Sequence, residues 1–274
     1  MIQQKISSTH KNIQYSLSVQ VSLTGLSFLV KDLSTQESLY FSEKILDSNT
    51  TAEVLLIEIE GIVADNEMLQ LPYKEVIVLF SNNMYTCVPS ALFDETKAIE
   101  YLKFNSKILA NDFIAVDPID NHDMVVVYIP YVNINNYFFE RFGSFQYYHV
   151  VSVFLKEKLN SDTFDPASKM FLNVQEEQLD VIVLVKGKVV LCNSFIYKTP
   201  EDFIYYILFC LEQLNLNPDT IPLIMSGAIE EKDLNYEMLF TYVRNISFVE
   251  ETAGNLTEST EVVSHKNYLL KKAR

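Results

Sequence analysis

The sequence predicts an α/β protein built as two related lobes, and three observations carry that prediction. One order of elements occurs twice along the chain: three short strands joined by tight turns, an apolar helix, then a further strand and helix. A polar stretch from Ser161 to Lys169, with Asp165-Pro166 inside it, separates the two copies. The 274 residues are 49% hydrophobic and 21% charged, enough apolar material for a large core, so the bulk of the chain is expected to fold. The expected division is a first lobe over 1–165, a second over 166–250 and a polar C-terminal extension over 251–274, whose end either packs back on the first lobe or stays solvated.

The first copy begins where Leu17, Val19 and Val21 alternate with Ser18, Gln20 and Ser22, the period of a half-buried strand. Leu23-Thr24-Gly25 turns the chain into Leu26 to Val30, and Ser34-Thr35-Gln36 turns it again into a third strand around Ser38 to Ile45. Thr50-Thr51 precedes a helix carrying Val54, Leu55, Ile59 and Ile62. Glu75 to Phe80 and Tyr85 to Val88 read as strands, and Asp94 as the cap of a helix with Ile99, Tyr101 and Leu102. Phe113 to Val116 and Met124 to Tyr131 form a hairpin, followed by an aromatic stretch and a helix from about His149 to Leu159.

In the second copy the strands are Met170 to Val174, Leu179 to Val185 and Val189 to Ser194, with Lys186-Gly187-Lys188 as a compact turn. Thr199-Pro200-Glu201-Asp202 is the strongest local signal: a capping hydroxyl, proline at the first helical position and acids facing the helix dipole. The helix from Pro200 to about Leu214 is apolar nearly all round, so it is expected to be covered on most sides. A strand Ile221 to Met225, a Ser226-Gly227 turn, a helix near Asn235 to Tyr242 and a strand Ile246 to Val249 complete the copy.

Composition excludes several function classes. A formal charge of -15 repels phosphate backbones and anionic lipid, so no nucleic-acid partner is expected. The most basic stretch, Lys266, Lys271, Lys272 and Arg274, reads as a solvated tail. The longest apolar run, Phe203 to Leu211, is too short to span a bilayer, and no signal-peptide core is present, so a cytoplasmic protein without membrane insertion is expected. Cys87, Cys192 and Cys210 stand among apolar residues with no paired spacing, as buried thiols in a reducing compartment. The sequon at Asn255 carries no weight without a secretory signal.

Several stretches carry a family resemblance: Val88 to Phe93, Tyr101 to Asn105, Asn193-Ser194-Phe195, Glu201 to Tyr206 and Met225-Ser226-Gly227. On these the chain resembles the bacterial domain-of-unknown-function family 3822, a divergent actin-like ATPase-fold family similar in layout to pilus-assembly proteins of that fold. The resemblance implies two ribonuclease H-like lobes with mixed sheets and flanking helices, and no established activity. It also supplies a test, because each lobe of an active relative offers an acidic, glycine-bearing turn to phosphate and magnesium. Here the first acidic residue is Asp32, beyond the first turn, and the matching second stretch, Asn173 to Glu177, lies in a region without glycine between Gly143 and Gly187. Both phosphate turns are therefore read as lost.

No other catalytic signature is present: GxGxxG, the P-loop and the GxSxG elbow are all missing from a chain with six glycines. Asp117, Asp120, His122 and Asp123 read as a solvated strand connection rather than a metal site, and His149 as a satisfied core histidine rather than a general base. No catalytic residue, metal or cofactor is assigned. The expected function is that of a non-catalytic binding or scaffold protein, a degenerate ATPase fold whose partner is another protein or a second copy of itself. The aromatic stretch Tyr137, Phe138, Phe139, Phe142, Phe145, Tyr147 and Tyr148 is read first as buried at the lobe junction, with a sticky partner surface as the rival reading. The alternative is a nucleotide or phospho-ligand site rebuilt between the lobes from Ser22, Thr24, Gly25, Ser226 and Gly227.

Overall fold

Strand β1 (Tyr15–Val21) turns at Ser22–Gly25 into β2 (Gly25–Asp32), and β3 (Ser38–Ile45) returns antiparallel beside it. The computed structural model describes residues 14–103, 108, 112–120, 122–161, 165–250 and 265–273. Helix α1 (Ala52–Asp65) starts where the Thr51 hydroxyl accepts the Val54 N–H, and it buries Leu55, Ile59 and Val63 at helical spacing. It carries the chain over to β4 (Glu75–Phe80), which lies parallel to β1.

Between β4 and the last strand of this sheet the chain inserts a separate antiparallel sheet. Its strands are β5 (Tyr85–Pro89), β6 (Ala115–Ile119) and β7 (Met124–Tyr128), in the order β5-β7-β6, with the short helix α2 (Ala98–Leu102) packed on it. Helix α3 (Val132–Phe142) then leads to β8 (Gln146–His149), parallel to β4, and α4 (Val150–Ser161) leaves the sheet. The first five-stranded sheet is thus ordered β3-β2-β1-β4-β8.

The second sheet repeats that order. Strands β9 (Lys169–Gln175), β10 (Gln178–Val185) and β11 (Lys188–Ile196) are antiparallel, helix α5 (Pro200–Gln213) crosses, β12 (Pro222–Gly227) lies parallel to β9, and α6 (Leu234–Tyr242) leads to β13 (Asn245–Phe248). Its order, β11-β10-β9-β12-β13, matches the first strand for strand. The doubled pattern in the sequence is therefore a doubled topology, the mixed α/β architecture expected. The Lys186-Gly187 turn has left-handed φ of 52° and 72° at its two central residues, the type I′ geometry that suits a twisted hairpin. At Thr199 a full capping box forms: its hydroxyl accepts the Asp202 N–H at 3.2 Å, and Asp202 accepts the Thr199 N–H at 3.2 Å.

Three local expectations change, and of the two readings of the aromatic stretch burial is the one observed. Helix α3 and strand β8 occupy the aromatic stretch: Phe138 is fully buried, Tyr137, Phe142, Phe145, Tyr147 and Tyr148 pack against the first core, and only Phe139 points out. That stretch is core, because an aromatic at every third or fourth position of a helix over a sheet has a face to bury. Helix α5 is not covered on most sides, since Tyr205 is 59% and Phe209 42% exposed. Cys210 is buried, but Cys87 and Cys192 are only half-buried. The basic tail is docked: helix α7 (Tyr268–Lys272) sets Tyr268 and Leu269 into the first core, Lys272 pairs with Glu157 at 3.9 Å and Lys266 pairs with Glu230. Arg274, Asn255 and the Phe104-Asn105 part of the family resemblance lie outside the described residues. Among the described residues no helix is long and apolar enough to cross a membrane.

Candidate functional site between the two sheets

The two sheets meet at the ends of β1 and β9, where the turns after each strand face each other. A cavity of about 380 Å³ opens there, lined from one side by Ser22, Thr24, Gly25, Glu43 and Lys44 and from the other by Gln175, Glu176, Gly227, Glu230, Lys232 and Lys266. Four of the five residues named from the sequence, Ser22, Thr24, Gly25 and Gly227, line it. Ser226 does not: it is buried within the second sheet, its hydroxyl donating to the Leu172 carbonyl at 3.2 Å. Alternation along β12 explains this, since neighbours on a strand point to opposite faces.

The donors that would hold a phosphate are already engaged. The Ser22 N–H and hydroxyl both donate to the Gly25 carbonyl, at 2.9 and 3.0 Å, and the Thr24 N–H donates to Ser22 Oγ at 3.3 Å. The Thr24 hydroxyl crosses the gap to the Glu176 carbonyl at 3.0 Å, tying the first turn directly to the second. On the other wall the Gly227 N–H donates to His265 O at 2.9 Å and the Ala228 N–H to Val174 O at 2.7 Å. Gly227 is glycine for a reason of packing: its φ is +95°, and a Cβ would lie 2.0 Å from the Val174 carbonyl oxygen.

Electrostatics at the cavity are equally self-satisfied. Lys232 reaches Glu230 at 2.8 Å and Lys266 pairs with the same carboxylate, which these two hydrogen-bonded cations hold down at about 2. Burial raises the Glu43 carboxyl, with Lys266 opposing it. Among the described residues no group of three His, Cys, Asp or Glu is placed to hold a metal ion.

Below the cavity runs a polar network that sequence reading missed. Gln175 Oε1 accepts from Ser81 Oγ at 2.7 Å and from Gln20 Nε2 at 3.1 Å, so one side chain of the second sheet is held by two from the first. Gln175 Nε2 donates onward to Asp180 Oδ2 at 2.8 Å. Asp180, 1% exposed, also accepts from Asn173, Gln178 and Ser194 at 2.9, 2.8 and 2.6 Å. Burial raises its carboxyl, and the four donors oppose that rise. Ser194 Oγ, its hydrogen given to Asp180, also lies 3.0 Å from Tyr85 Oη, extending the network to β5.

The remaining residues singled out from the sequence are structural. His149 is fully buried and neutral, its pKa lowered to about 3 by burial. Its Nε2–H donates to the Asn82 carbonyl at 3.1 Å and its Nδ1 accepts the Val151 N–H at 3.2 Å, the satisfied core histidine expected. Asp117 is no solvated turn residue: it points inward from β6, is 4% exposed, and accepts the His149 N–H at 2.8 Å and the Tyr128 hydroxyl at 3.2 Å. Burial pushes its pKa up to about 6. Asp120 instead stays outside, paired with Lys156 at 3.3 Å.

This geometry has relatives. A crystal structure of a Bacteroides thetaiotaomicron VPI-5482 protein with an actin-like ATPase fold and unknown function is 21% identical and superposes with a TM-score of 0.77 over 89% of this chain and 94% of that one. The PilM-PilN type IV pilus biogenesis complex provides a chain 12% identical, with a TM-score of 0.58 over 93% of this chain and 96% of that one. Both likenesses establish the actin-like ATPase fold. None of the curated proteins matches this chain. The model of a protein family of unknown function, DUF3822, matches residues 3–246, nearly the whole chain, and the chain therefore belongs to that family.

Proposed function

We propose that this chain is a non-catalytic binding or scaffold protein, an actin-like frame that has given up phosphate binding and works by holding a protein partner. The reading rests on the Thr24 hydroxyl bonded to the Glu176 carbonyl, together with turn amides already hydrogen-bonded within the protein. An ATPase of this fold needs those amides and the space between the turns for its phosphates. Here filling that space would break bonds between the two sheets. The Gln20, Ser81, Gln175 and Asp180 network points the same way, since it binds the lobes to each other rather than leaving them free to close on a nucleotide.

The division into lobes over 1–165 and 166–250, with 251–274 as an extension, belongs to this reading, as does a cytoplasmic location. The partner face is better sought on the second lobe than on the aromatic stretch. Helices α5 and α6 turn out Tyr205, Phe209, Phe240 (56% exposed) and Tyr242 (51%), the kind of aromatic surface that interfaces favour. The PilM-PilN complex is a precedent for a chain of this fold in a protein assembly.

One observation favours a second reading, a phospho-ligand site: the cavity of about 380 Å³ lined by Ser22, Thr24, Gly25, Gly227, Lys232 and Lys266. Thermal unfolding at millimolar ATP, ADP and GTP, with and without magnesium, separates the two, because a ligand that binds only the native state raises its melting temperature. No shift is expected. A reproducible rise with any of these ligands overturns the scaffold reading in favour of the cavity.

A further inference from the structure

Helices α5 and α6 pack against each other, and their inner residues Phe203, Ile207 and Leu239 share one core with the second sheet. Their outer residues set aromatic rings among carboxylates. Along α5 one stripe at helical spacing reads Glu201, Tyr205, Phe209 and Glu212, all four exposed. On α6 exposed Glu237 stands one turn from both Leu234 and Phe240, which are exposed as well. Neither helix holds a lysine or arginine. Of the basic residues that flank them in sequence, Lys232 is committed to Glu230 at 2.8 Å and Arg244 to Asp219 at 3.6 Å, which leaves Lys198 ahead of α5. The rings are also braced: Tyr205 stacks on Phe209 with centroids 5.9 Å apart, and Phe240 stacks at 6.1 Å on Tyr236, itself stacked at 5.8 Å on Phe248. Rings held in this way lose little freedom when a partner covers them.

We propose that this face takes a basic amphipathic helix of another protein, with the apolar stripe of that helix over Tyr205, Phe209 and Phe240 and its lysines or arginines against Glu201, Glu212 and Glu237. The inference rests on the scaffold reading and names the chemistry of the partner which that reading requires. Charge decides against a second copy, because two such faces together would set carboxylate against carboxylate on chains that each carry a formal -15. The same charge turns away anionic lipid. Backbone chemistry decides for a helix. A surface made of two helices offers no strand edge, so an extended segment laid on it would bury N–H and C=O groups without partners, whereas a helix satisfies its own.

The test uses the full chain and a fluorescein-labelled synthetic peptide of about 18 residues, with leucines repeating at i, i+3, i+4 and i+7 and lysines on both flanks of that stripe. Fluorescence anisotropy should show micromolar binding that weakens as salt rises. Phe209→Ser combined with Phe240→Ser, both at exposed positions, should weaken it about 30-fold or more, with circular dichroism confirming that the variant is folded. Glu201→Gln combined with Glu212→Gln should flatten the salt dependence, and Phe139→Ser, at an exposed ring of the first lobe, should change nothing. Absence of binding at millimolar peptide overturns the proposal. Unchanged binding to the Phe209 and Phe240 double variant does so too, as does equal binding of a peptide with the same lysines and scrambled leucines. Flotation of the protein with phosphatidylcholine vesicles would assign the face to lipid and overturn it likewise. Any of these failures without a nucleotide-dependent rise in melting temperature leaves the scaffold reading standing with another face, whereas that rise removes the reading itself.

Discussion

Replacing Gly227 by alanine tests whether the approach of β9 and β12 is as tight as it looks. Two penalties add at this position. The φ of +95° lies where an L side chain is strained, which costs about 1 to 2 kcal/mol. The new Cβ would also sit 2.0 Å from Val174 O, 2.8 Å from its N and 2.9 Å from its carbonyl carbon, all backbone atoms of a strand paired in register with β12. No flexible side chain is there to move aside, so one strand must shift, an overpacking cost of about 1 to 3 kcal/mol. The G227A protein should therefore lose about 2 to 5 kcal/mol of stability, read as a lowered urea midpoint by circular dichroism at an unchanged slope. A loss below about 1 kcal/mol would mean that the second sheet yields freely there, and that packing does not explain this glycine.

Two further outcomes follow from groups described above. Asp117 holds a proton more tightly in the folded state, at about 6 against an ordinary 3.8, so stability should fall as pH rises between those values. From this group alone the fall is about 3 kcal/mol, and equilibrium unfolding of Asp117→Asn across the same range should show a flatter pH dependence; an unchanged slope would exclude Asp117 as its source. Thr199→Ala removes the side chain that caps α5 and should cost about 1 kcal/mol in chemical unfolding; a neutral result would mean that burial of Phe203 and Ile207 sets the helix start by itself.

What the sequence disclosed was local chemistry, and what it withheld was contact between distant residues. The period-2 strands, the Lys186-Gly187 turn and the Thr199 box are each specified within a few residues, so the doubled order of elements and the fold class were legible. Helix α3 was not, because Asn133, Asn135 and Asn136 are weak helix formers and Tyr131 gives no side-chain cap. Only Ile134 and Phe138, sinking into a core assembled from elsewhere, define it. At the site Ser22, Thr24, Gly25 and Gly227, named through the family resemblance, do line one cavity. The sequence said nothing of Gln20 meeting Gln175 across 155 positions, or of Asp117 turning inward from a connection that reads as polar. Polar residues look alike in sequence whether they face water or another buried side chain, and only the fold distinguishes them.

The segment 265–273 joins the two sheets along one edge of their boundary. His265 stacks on Phe248 with ring centroids 4.2 Å apart and donates through Nε2 to the Ile229 carbonyl at 2.7 Å. A few residues later Lys31 Nζ donates to the Lys271 carbonyl at 2.9 Å, back at β2. Between these two contacts Tyr268 and Leu269 lie in the first core, so nine residues touch both sheets. Without those two side chains the β1–β2 side of the core would present apolar surface. A change that loosens either end of this segment would therefore be felt at both sheets at once.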